Sequence, residues 1–258
     1  MSNTEKETAH HVSFCERMPI FASTSLEGAE ALRRAANTSV LVPGPVVSAQ
    51  VRPGRATHGL QLSPDDISRL EPGAWLSTNL LDAVANVANA SEASRFTYPL
   101  RIFLTQNFLA LPEVPVLRPE VADHAWLVGL VVNTSPPTCR GSHWVAYWAR
   151  INHLPKVVEV LFFDSFGVHT NKHAEVMHRL PVILSLPSYE FRGPVNMACP
   201  QQRNGCDCGV YAAAVLLRLW DTDTLPWEET SWDSQVTVDA GEMRARLGAF
   251  IGSGIKTS

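Results

Sequence analysis

An almost uninterrupted apolar stretch runs from Cys208 to Trp220. A segment of this length that is apolar nearly all round predicts a helix that passes through a hydrophobic core. The residues just before it are polar. Asn204 and Gly205 favour a left-handed or tight turn there, and Asp207 is a natural N-cap for the helix. Cys208 is therefore predicted to lie in the first turn of a buried helix.

Two strands are predicted upstream of this helix. Between His143 and Ile151 the residues alternate between two faces, as in a strand. The two faces are His143, Val145, Tyr147, Ala149 and Ile151, and Trp144, Ala146, Trp148 and Arg150. The apolar run from Val157 to Phe163 predicts a central strand that ends at Asp164. The short connection between the two strands predicts an antiparallel hairpin, which would bring His143 close to Asp164.

Further helices and strands are predicted on either side of the hairpin. A capping-box pattern at 24–27 predicts a helix to about residue 36, and the segment 40–64 predicts irregular chain or short strands. Other helices are expected at 64–71, 77–89, 171–180 and 240–251, with His173 and His178 solvated on the third of these. Other strands are expected at 101–104, 126–132 and 189–192. We predict two regions: an N-terminal extension, 1–62, partly disordered with one short helix, and a globular domain, 63–258.

Composition limits the classes of partner. The 258 residues are 45% hydrophobic and carry a net charge of -4, which is typical of a globular protein. There is no basic cluster and no apolar run of membrane-spanning length, so we expect neither nucleic-acid binding nor membrane association. Five cysteines give no even disulfide framework, which favours a reducing intracellular compartment, the cytoplasm or nucleus. No metal-ligand spacing appears, so no metal or other cofactor is expected.

A thiol at a helix N-terminus is well placed for nucleophilic chemistry. The unpaired helix amides stabilise a thiolate and can also hold the oxyanion of an acyl-transfer intermediate. Gln202, close before Cys208, offers a side-chain amide to the same oxyanion hole. A cysteine hydrolase also needs an imidazole to accept the thiol proton and a third group to orient that imidazole, and His143 and Asp164 fit these roles. The alternative for Cys208 taken alone is a buried structural cysteine.

The motifs HW, FFDSFG and QQRNGCDCGVY, in this order, resemble those of the ubiquitin-like-protein-specific cysteine proteases, the SUMO protease type, in the adenain superfamily. The resemblance covers about Leu70 to Trp220. It implies that His143, Asp164, Gln202 and Cys208 carry catalysis. The match is specific because four functional positions agree in order, residue type and local context.

Upstream, LEPGAWLSTNLLDAVANV resembles the tryptophan-leucine motif of the same family. The resemblance implies that Trp75 and Trp144 bind substrate by forming a narrow tunnel over its Gly-Gly end. Without the resemblance, Trp75 is better explained as a core anchor. The motif departs from the family at Ser77-Thr78, where Asn-Asp is usual, and Cys206 stands where another residue type is common. These departures bear on the substrate and leave the catalytic chemistry unchanged.

The resemblance implies an α+β fold with a papain-like core, in which helices flank a central mixed sheet and the nucleophile begins a buried helix. It also implies cleavage after the Gly-Gly of ubiquitin or a ubiquitin-like modifier such as SUMO, by a Cys-His-Asp triad. One alternative is an adenain-like viral or mobile-element protease that cuts structural polyproteins at glycine-containing sites. A lesser one is an acetyltransferase on the same scaffold. The expected partner is thus ubiquitin, a ubiquitin-like protein or a viral polyprotein, and the chain is expected to be a monomer.

Overall fold

The computed structural model describes residues 40–42, 60–95, 101–104, 125–134, 143–167, 172–221 and 238–253. Within these ranges the strands are β1 (Val40–Val42), β2 (Leu60–Leu62), β3 (Arg101–Leu104), β4 (Leu127–Asn133), β5 (Trp144–Asn152), β6 (Val157–Phe163) and β7 (Glu190–Asn196). The helices are α1 (Pro64–Ser68), α2 (Thr78–Arg95), α3 (Lys172–Ile183), α4 (Cys208–Asp221) and α5 (Ala240–Ser253).

Strands β3 to β7 form one mixed sheet in the order in which they occur along the chain. The three middle strands are antiparallel, and each edge strand is parallel to its neighbour. The predicted hairpin is confirmed, because β5 pairs with β6 with Ala146 opposite Phe163 and Asn152 opposite Val157. This register places the start of β5 beside the end of β6.

Helices cover both faces of the sheet. The alternation along β5 decides on which face of the sheet each side chain lies, and so which core it joins. Trp144, Ala146 and Trp148 belong to a core that includes residues of α2, α4 and α5. Val145 and Tyr147 belong to a second core, which includes residues of α3. The predicted alternation and the predicted α+β fold, a mixed sheet flanked by helices, are both confirmed.

The helix expected at 171–180 is less solvated than predicted. It extends to Ile183 and buries three apolar side chains: Val176, Leu180 and Ile183. His173 lies against the sheet, with its ring edge-on to Tyr147 and Phe162 at centroid distances of 5.8 and 4.5 Å. The Tyr147 hydroxyl and His173 Nδ1 are 3.1 Å apart and share a hydrogen bond. His173 is therefore only partly solvated, because the first turn of α3 packs onto the sheet, whereas His178 is exposed as predicted.

A short strand pair lies against the core on the N-terminal side of α1. β1 and β2 are antiparallel, with Leu41 opposite Gln61, which confirms short strands within the segment 40–64. Leu62 is fully buried in the core beside α2 and α4. The helix predicted at 24–36 lies outside the described residues, and the division into 1–62 and 63–258 stays a prediction. No helix in the described ranges is both long and apolar enough to cross a bilayer.

Asp66 fixes α1 against the start of α2. Its backbone amide donates to Ser63 Oγ at 3.1 Å, and the Ser63 amide donates to Asp66 Oδ2 at 3.0 Å, so the two form a capping box. Ser77 Oγ and Asn79 Nδ2 donate to the same carboxylate at 2.7 and 3.1 Å. Burial alone would raise the pKa of Asp66, but the hydrogen bonds from Ser77, Ser63 and Asn79 outweigh it and lower the pKa.

Candidate active site

Cys208 is the first residue of α4, and its side chain is fully buried. The predicted position at the start of a buried helix is therefore confirmed. Gly209 follows it where the helix meets two neighbours: a Cβ atom there would lie 3.0 Å from the Leu76 Cβ and 3.2 Å from the Trp144 Cδ1. The absence of a side chain at Gly209 thus lets the helix start approach these residues closely.

The turn before Cys208 is closed by the Asn204 side chain. Asn204 Oδ1 accepts from the backbone amides of Cys206 and Asp207 at 3.1 and 3.0 Å, which is an Asx-type turn. Within the described residues, positive φ occurs at Gly73, Gly167, Gly193 and Ser185. Neither Asn204 nor Gly205 is left-handed, because the side-chain hydrogen bonds of Asn204 form the tight turn instead.

Asp207 occupies the N-cap position, but its carboxylate does not have the expected capping partners. Its backbone carbonyl accepts from the Tyr211 amide at 3.1 Å, as an N-cap carbonyl does. Oδ1 accepts from Arg244 Nη2 at 2.6 Å and Oδ2 accepts from Asn204 Nδ2 at 2.7 Å. The carboxylate is thus held by Arg244 and Asn204, beside the start of the helix.

His143 and Asp164 meet at the ends of the hairpin strands, as predicted. His143 directly precedes β5 and Asp164 directly follows β6. Their Nε2 and Oδ1 atoms are 2.6 Å apart, and the two side chains are 12% and 3% exposed. Asp164 Oδ1 also accepts from the Phe166 amide at 2.8 Å, within a turn that ends at Gly167, where φ is 64°. The turn therefore fixes the carboxylate that orients the imidazole.

The electrostatics of His143 link the pair to Cys208. Burial alone would lower the pKa of His143, but the hydrogen bond with Asp164 and the nearby thiol of Cys208, followed by the charges of these groups, raise it to about 9. With Nε2 taken by Asp164, the ring's Nδ1 is the nitrogen left for the thiol. A protonated imidazole at neutral pH stabilises a thiolate beside it. This arrangement can supply a nucleophile and a proton donor together.

Gln202 lies in the polar segment before the turn and is 8% exposed. Its Oε1 accepts from Ser165 Oγ at 2.5 Å, and its Nε2 donates to the Asn204 carbonyl at 2.6 Å. The Gln202 backbone amide also donates to the Ser165 carbonyl at 2.9 Å. An amide nitrogen carries two hydrogens, so one remains for a substrate oxygen. Ser165 thus sets which end of the Gln202 amide donates.

The other two described cysteines differ from Cys208 in their surroundings. Cys206 is half-buried, and its Sγ atom lies 3.4 Å from Asn204 Oδ1. Burial, and next the charge of Asp207, raise the pKa of Cys206. Cys199 donates through Sγ to the Asp164 carbonyl at 3.2 Å, and burial raises its pKa to about 11. Both shifts favour the neutral thiol, so neither cysteine has the activated environment of a nucleophile.

The two tryptophans assigned to substrate binding differ in exposure. Trp144 is 4% exposed, and its indole Nε1 donates to the Leu76 carbonyl at 3.3 Å. Trp75 is only partly buried and packs against the same core. Trp144 lies beside Gly209 at the helix start, as does Leu76, the residue that follows Trp75. Trp75 has more surface available for a ligand.

Two of the site's hydrogen-bonding residues were not identified from the sequence. Ser165 lies within the FFDSFG motif, and its position next to Asp164 is the sequence feature that could have indicated a role in the site. Arg244 lies on α5, far along the chain from the motifs, and no local pattern marks it. Within the described ranges no three metal-ligating side chains cluster together.

Comparison with known proteins finds one family model that matches part of the chain. Residues 131–222 match the profile of the Ulp1 protease family, C-terminal catalytic domain. The chain has no significant sequence match among curated proteins.

Several solved structures share the fold. One is the SUMO protease Ulp1 with its catalytic cysteine oxidised to a sulfonic acid, with TM-score 0.55, 16% identity, and coverage of 89% of this chain and 95% of that one. Another is the C-terminal Ulp1 protease domain in complex with SMT3, the yeast orthologue of SUMO, with TM-score 0.53, 14% identity and coverage of 89% and 96%. The Chaetomium thermophilum Ulp1-like SUMO protease catalytic domain has TM-score 0.54, 18% identity and coverage of 91% of both chains.

These identities are low, so the structural matches show a shared fold. The fold, and the family match over residues 131–222, are those of a cysteine peptidase with a papain-like core. Residues 131–222 thus resemble the catalytic domain of the Ulp1, or SUMO protease, type, and the chain shares the fold of such proteases.

Proposed function

We propose that this peptidase cleaves after the C-terminal glycine of a ubiquitin-like modifier, with Cys208, His143 and Asp164 as its catalytic triad. The observation that carries the proposal is the 2.6 Å contact between His143 Nε2 and Asp164 Oδ1, which leaves the buried His143 Nδ1 without another hydrogen-bond partner among the described residues. An imidazole that is oriented by a carboxylate and turns its other nitrogen to a thiol at a helix start is what acyl transfer to sulfur requires.

The proposed reaction has two steps. The Cys208 thiolate attacks the glycine carbonyl, and His143 gives its proton to the leaving amine as the carbon–nitrogen bond breaks. Water, deprotonated by the now neutral His143, then attacks the thioester and releases the glycine carboxylate and the thiol. In both steps the Cys208 amide and Gln202 Nε2 donate to the oxyanion.

The choice of a ubiquitin-like substrate has two supports. One structurally similar protein is a Ulp1 domain in complex with SMT3, the yeast orthologue of SUMO. The other is the site itself: Cys208 is fully buried, and Leu76 and Trp144 press on Gly209 beside it. Such close packing beside the thiol suits a strand of glycines, since larger side chains on the strand would collide with Leu76 and Trp144.

The test is labelling of the purified protein with modifiers that carry an electrophile in place of the terminal glycine carboxylate. SUMO, ubiquitin and other ubiquitin-like proteins form the panel. Cys208→Ala and Cys206→Ala are the matched variants, because their thiols lie two positions apart in the same motif. We expect labelling by at least one modifier that is lost in Cys208→Ala and retained in Cys206→Ala.

If the folded protein is labelled by none of the modifiers while Cys208 still reacts with iodoacetamide, a modifier substrate is ruled out. Labelling lost in Cys206→Ala alone would instead contradict the assignment of the nucleophile. Catalysis is tested separately with His143→Gln and Asp164→Asn, for which hydrolysis of a modifier fused to a fluorescent amine is expected to fall by about 10³-fold or more.

A further inference from the structure

Arg244, on α5, is the largest charged side chain in the described part of the core. It is 2% exposed. Its Nη1 donates to the Arg69 carbonyl at 2.8 Å, and its Nη2 donates to the Ala74 carbonyl at 2.5 Å and to Asp207 Oδ1 at 2.6 Å. One guanidinium on α5 therefore joins two segments that are far apart in sequence, 69–74 and the turn at Asp207.

Both segments lead to the start of α4, where Cys208 lies. Asp207 immediately precedes Cys208, and Ala74 immediately precedes Trp75 and Leu76. The next residues of the same two segments touch each other, because Leu76 packs against the backbone at Gly209. Arg244 thus ties together, from the buried side, the two stretches of chain that meet at the helix start.

We infer that Arg244 is a positioning residue that sets the separation between the segment Ala74–Leu76 and the start of α4, and so the width of the approach to Cys208. The effect of this separation on substrate binding rests on the proposed function. A planar guanidinium with several fixed donors can hold two carbonyls and a carboxylate at once, whereas an ammonium is a point charge on a flexible stem.

A purely structural role is the competing explanation, since loss of one partner from a buried ion pair is generally destabilising. If Arg244 has only that role, its replacement would lower the free energy of unfolding. It would leave unchanged the ratio at which the folded protein reacts with bulky and small thiol reagents. Selectivity by size is therefore the property to measure. Arg244→Lys keeps the charge and removes the planar fork, and Arg244→Met removes both.

Arg246→Met is the matched control. Arg246 lies on the same helix, but it forms a more exposed ion pair with Glu242. Each variant is studied at a temperature at which circular dichroism shows it folded. Alkylation of Cys208 by iodoacetamide and by a bulky fluorescein iodoacetamide is followed by tandem mass spectrometry, which separates it from Cys206.

We expect Arg244→Lys to raise the ratio of bulky to small alkylation rates at Cys208 by about tenfold, as for loss of one charged hydrogen bond. The KM for a modifier fused to a fluorescent amine should rise by a similar factor, with kcat changed less than about threefold. Arg246→Met should match the wild type in both measurements.

An unchanged alkylation ratio and an unchanged KM in both Arg244 variants would overturn the inference. So would a parallel loss of kcat and of iodoacetamide reactivity at constant KM, because Arg244 would then act on the charge of the thiol. If the wild type cleaves no modifier, the proposed function fails by itself. The alkylation ratio needs no substrate and still decides the inference.

Discussion

Ser165 Oγ donates a 2.5 Å hydrogen bond to Gln202 Oε1. This contact decides the orientation of the Gln202 amide, because an amide has one acceptor end and one donor end. With the oxygen held by Ser165, Nε2 is directed to the Asn204 carbonyl beside the turn that leads to Cys208. Ser165 follows Asp164 directly, so one tight turn fixes both the carboxylate and the proposed oxyanion donor.

Replacing Ser165 by alanine should therefore reduce catalysis through Gln202. We expect Gln202→Ala to lower kcat by about 10²-fold to 10³-fold, as for loss of an oxyanion-hole donor. Ser165→Ala should lower kcat by about threefold to tenfold, since the amide is still present but free to rotate. The double variant should be no slower than Gln202→Ala. Steady-state hydrolysis of a labelled modifier checks this, and additive effects would contradict it.

The raised pKa of His143 makes the stability of the fold depend on pH. The pKa rises from an ordinary 6.5 to about 9, so the folded state holds a proton that the unfolded chain releases earlier. The resulting stabilisation is fully present below pH 6.5 and is lost as the pH rises through 9. Between these values we expect the free energy of unfolding to fall by up to about 3 kcal/mol relative to His143→Gln.

Urea unfolding of the wild type and of His143→Gln at several pH values measures this difference. Asp164→Asn is the second variant, because it removes the first hydrogen-bonding partner that raises the pKa of His143. Its stability profile should run closer to that of His143→Gln. Parallel profiles for wild type and His143→Gln would show that His143 has no raised pKa.

The helix start should not tolerate alanine at Gly209. The added Cβ would lie 3.0 Å from the Leu76 Cβ and 3.2 Å from the Trp144 Cδ1, both of which belong to buried side chains. We expect a loss of about 1–3 kcal/mol in the free energy of unfolding, despite the better helix propensity of alanine.

Gly205→Ala is the control for this substitution. No atom lies within 4 Å of a Cβ at Gly205, and its φ is not positive. We expect a change within about 0.5 kcal/mol. Urea unfolding compares the two variants, and equal losses at both positions would show that packing against Leu76 and Trp144 is not the cause.

Asp66 should be needed to hold α1 against α2. Its carboxylate accepts from Ser63, Ser77 and Asn79. Asp66→Ala leaves these donors without their acceptor, and we expect a loss of about 2–4 kcal/mol in the free energy of unfolding. Asp65→Ala is the control, because Asp65 forms an exposed pair with Arg69 that contributes about 0.5 kcal/mol or less.

The lowered pKa of Asp66 adds a pH signature to this prediction. Its stabilisation is present above the ordinary pKa of 3.8 and is lost as the pH falls through the lower folded value. The difference in stability between wild type and Asp66→Ala should therefore shrink in acid. A constant difference down to pH 2 would show that the contribution of Asp66 does not depend on its charge.

Periodicity and element boundaries were enough to predict the parts of the site that lie at strand and helix ends. The alternation from Trp144 onward and the apolar run before Asp164 mark two strands, and a short connection leaves the antiparallel hairpin as their simplest pairing. His143 and Asp164 follow from that pairing alone. Cys208 follows from the change from polar to apolar residues at the start of α4.

Contacts between segments far apart in sequence were not predictable in this way. Ser165 meets Gln202 across 37 positions, and Asp207 meets Arg244 across another 37. No local pattern selects such partners, because they depend on how helices and strands pack. The sequence also does not show which of several possible partners a polar side chain binds. Asn204 closes its turn through its side chain and without a left-handed residue, and the Asp207 carboxylate binds Arg244. The sequence by itself determined which residues stand at the ends of the secondary structures. Only the tertiary structure decided how their side chains are held, since buried polar groups must find partners wherever packing brings them together.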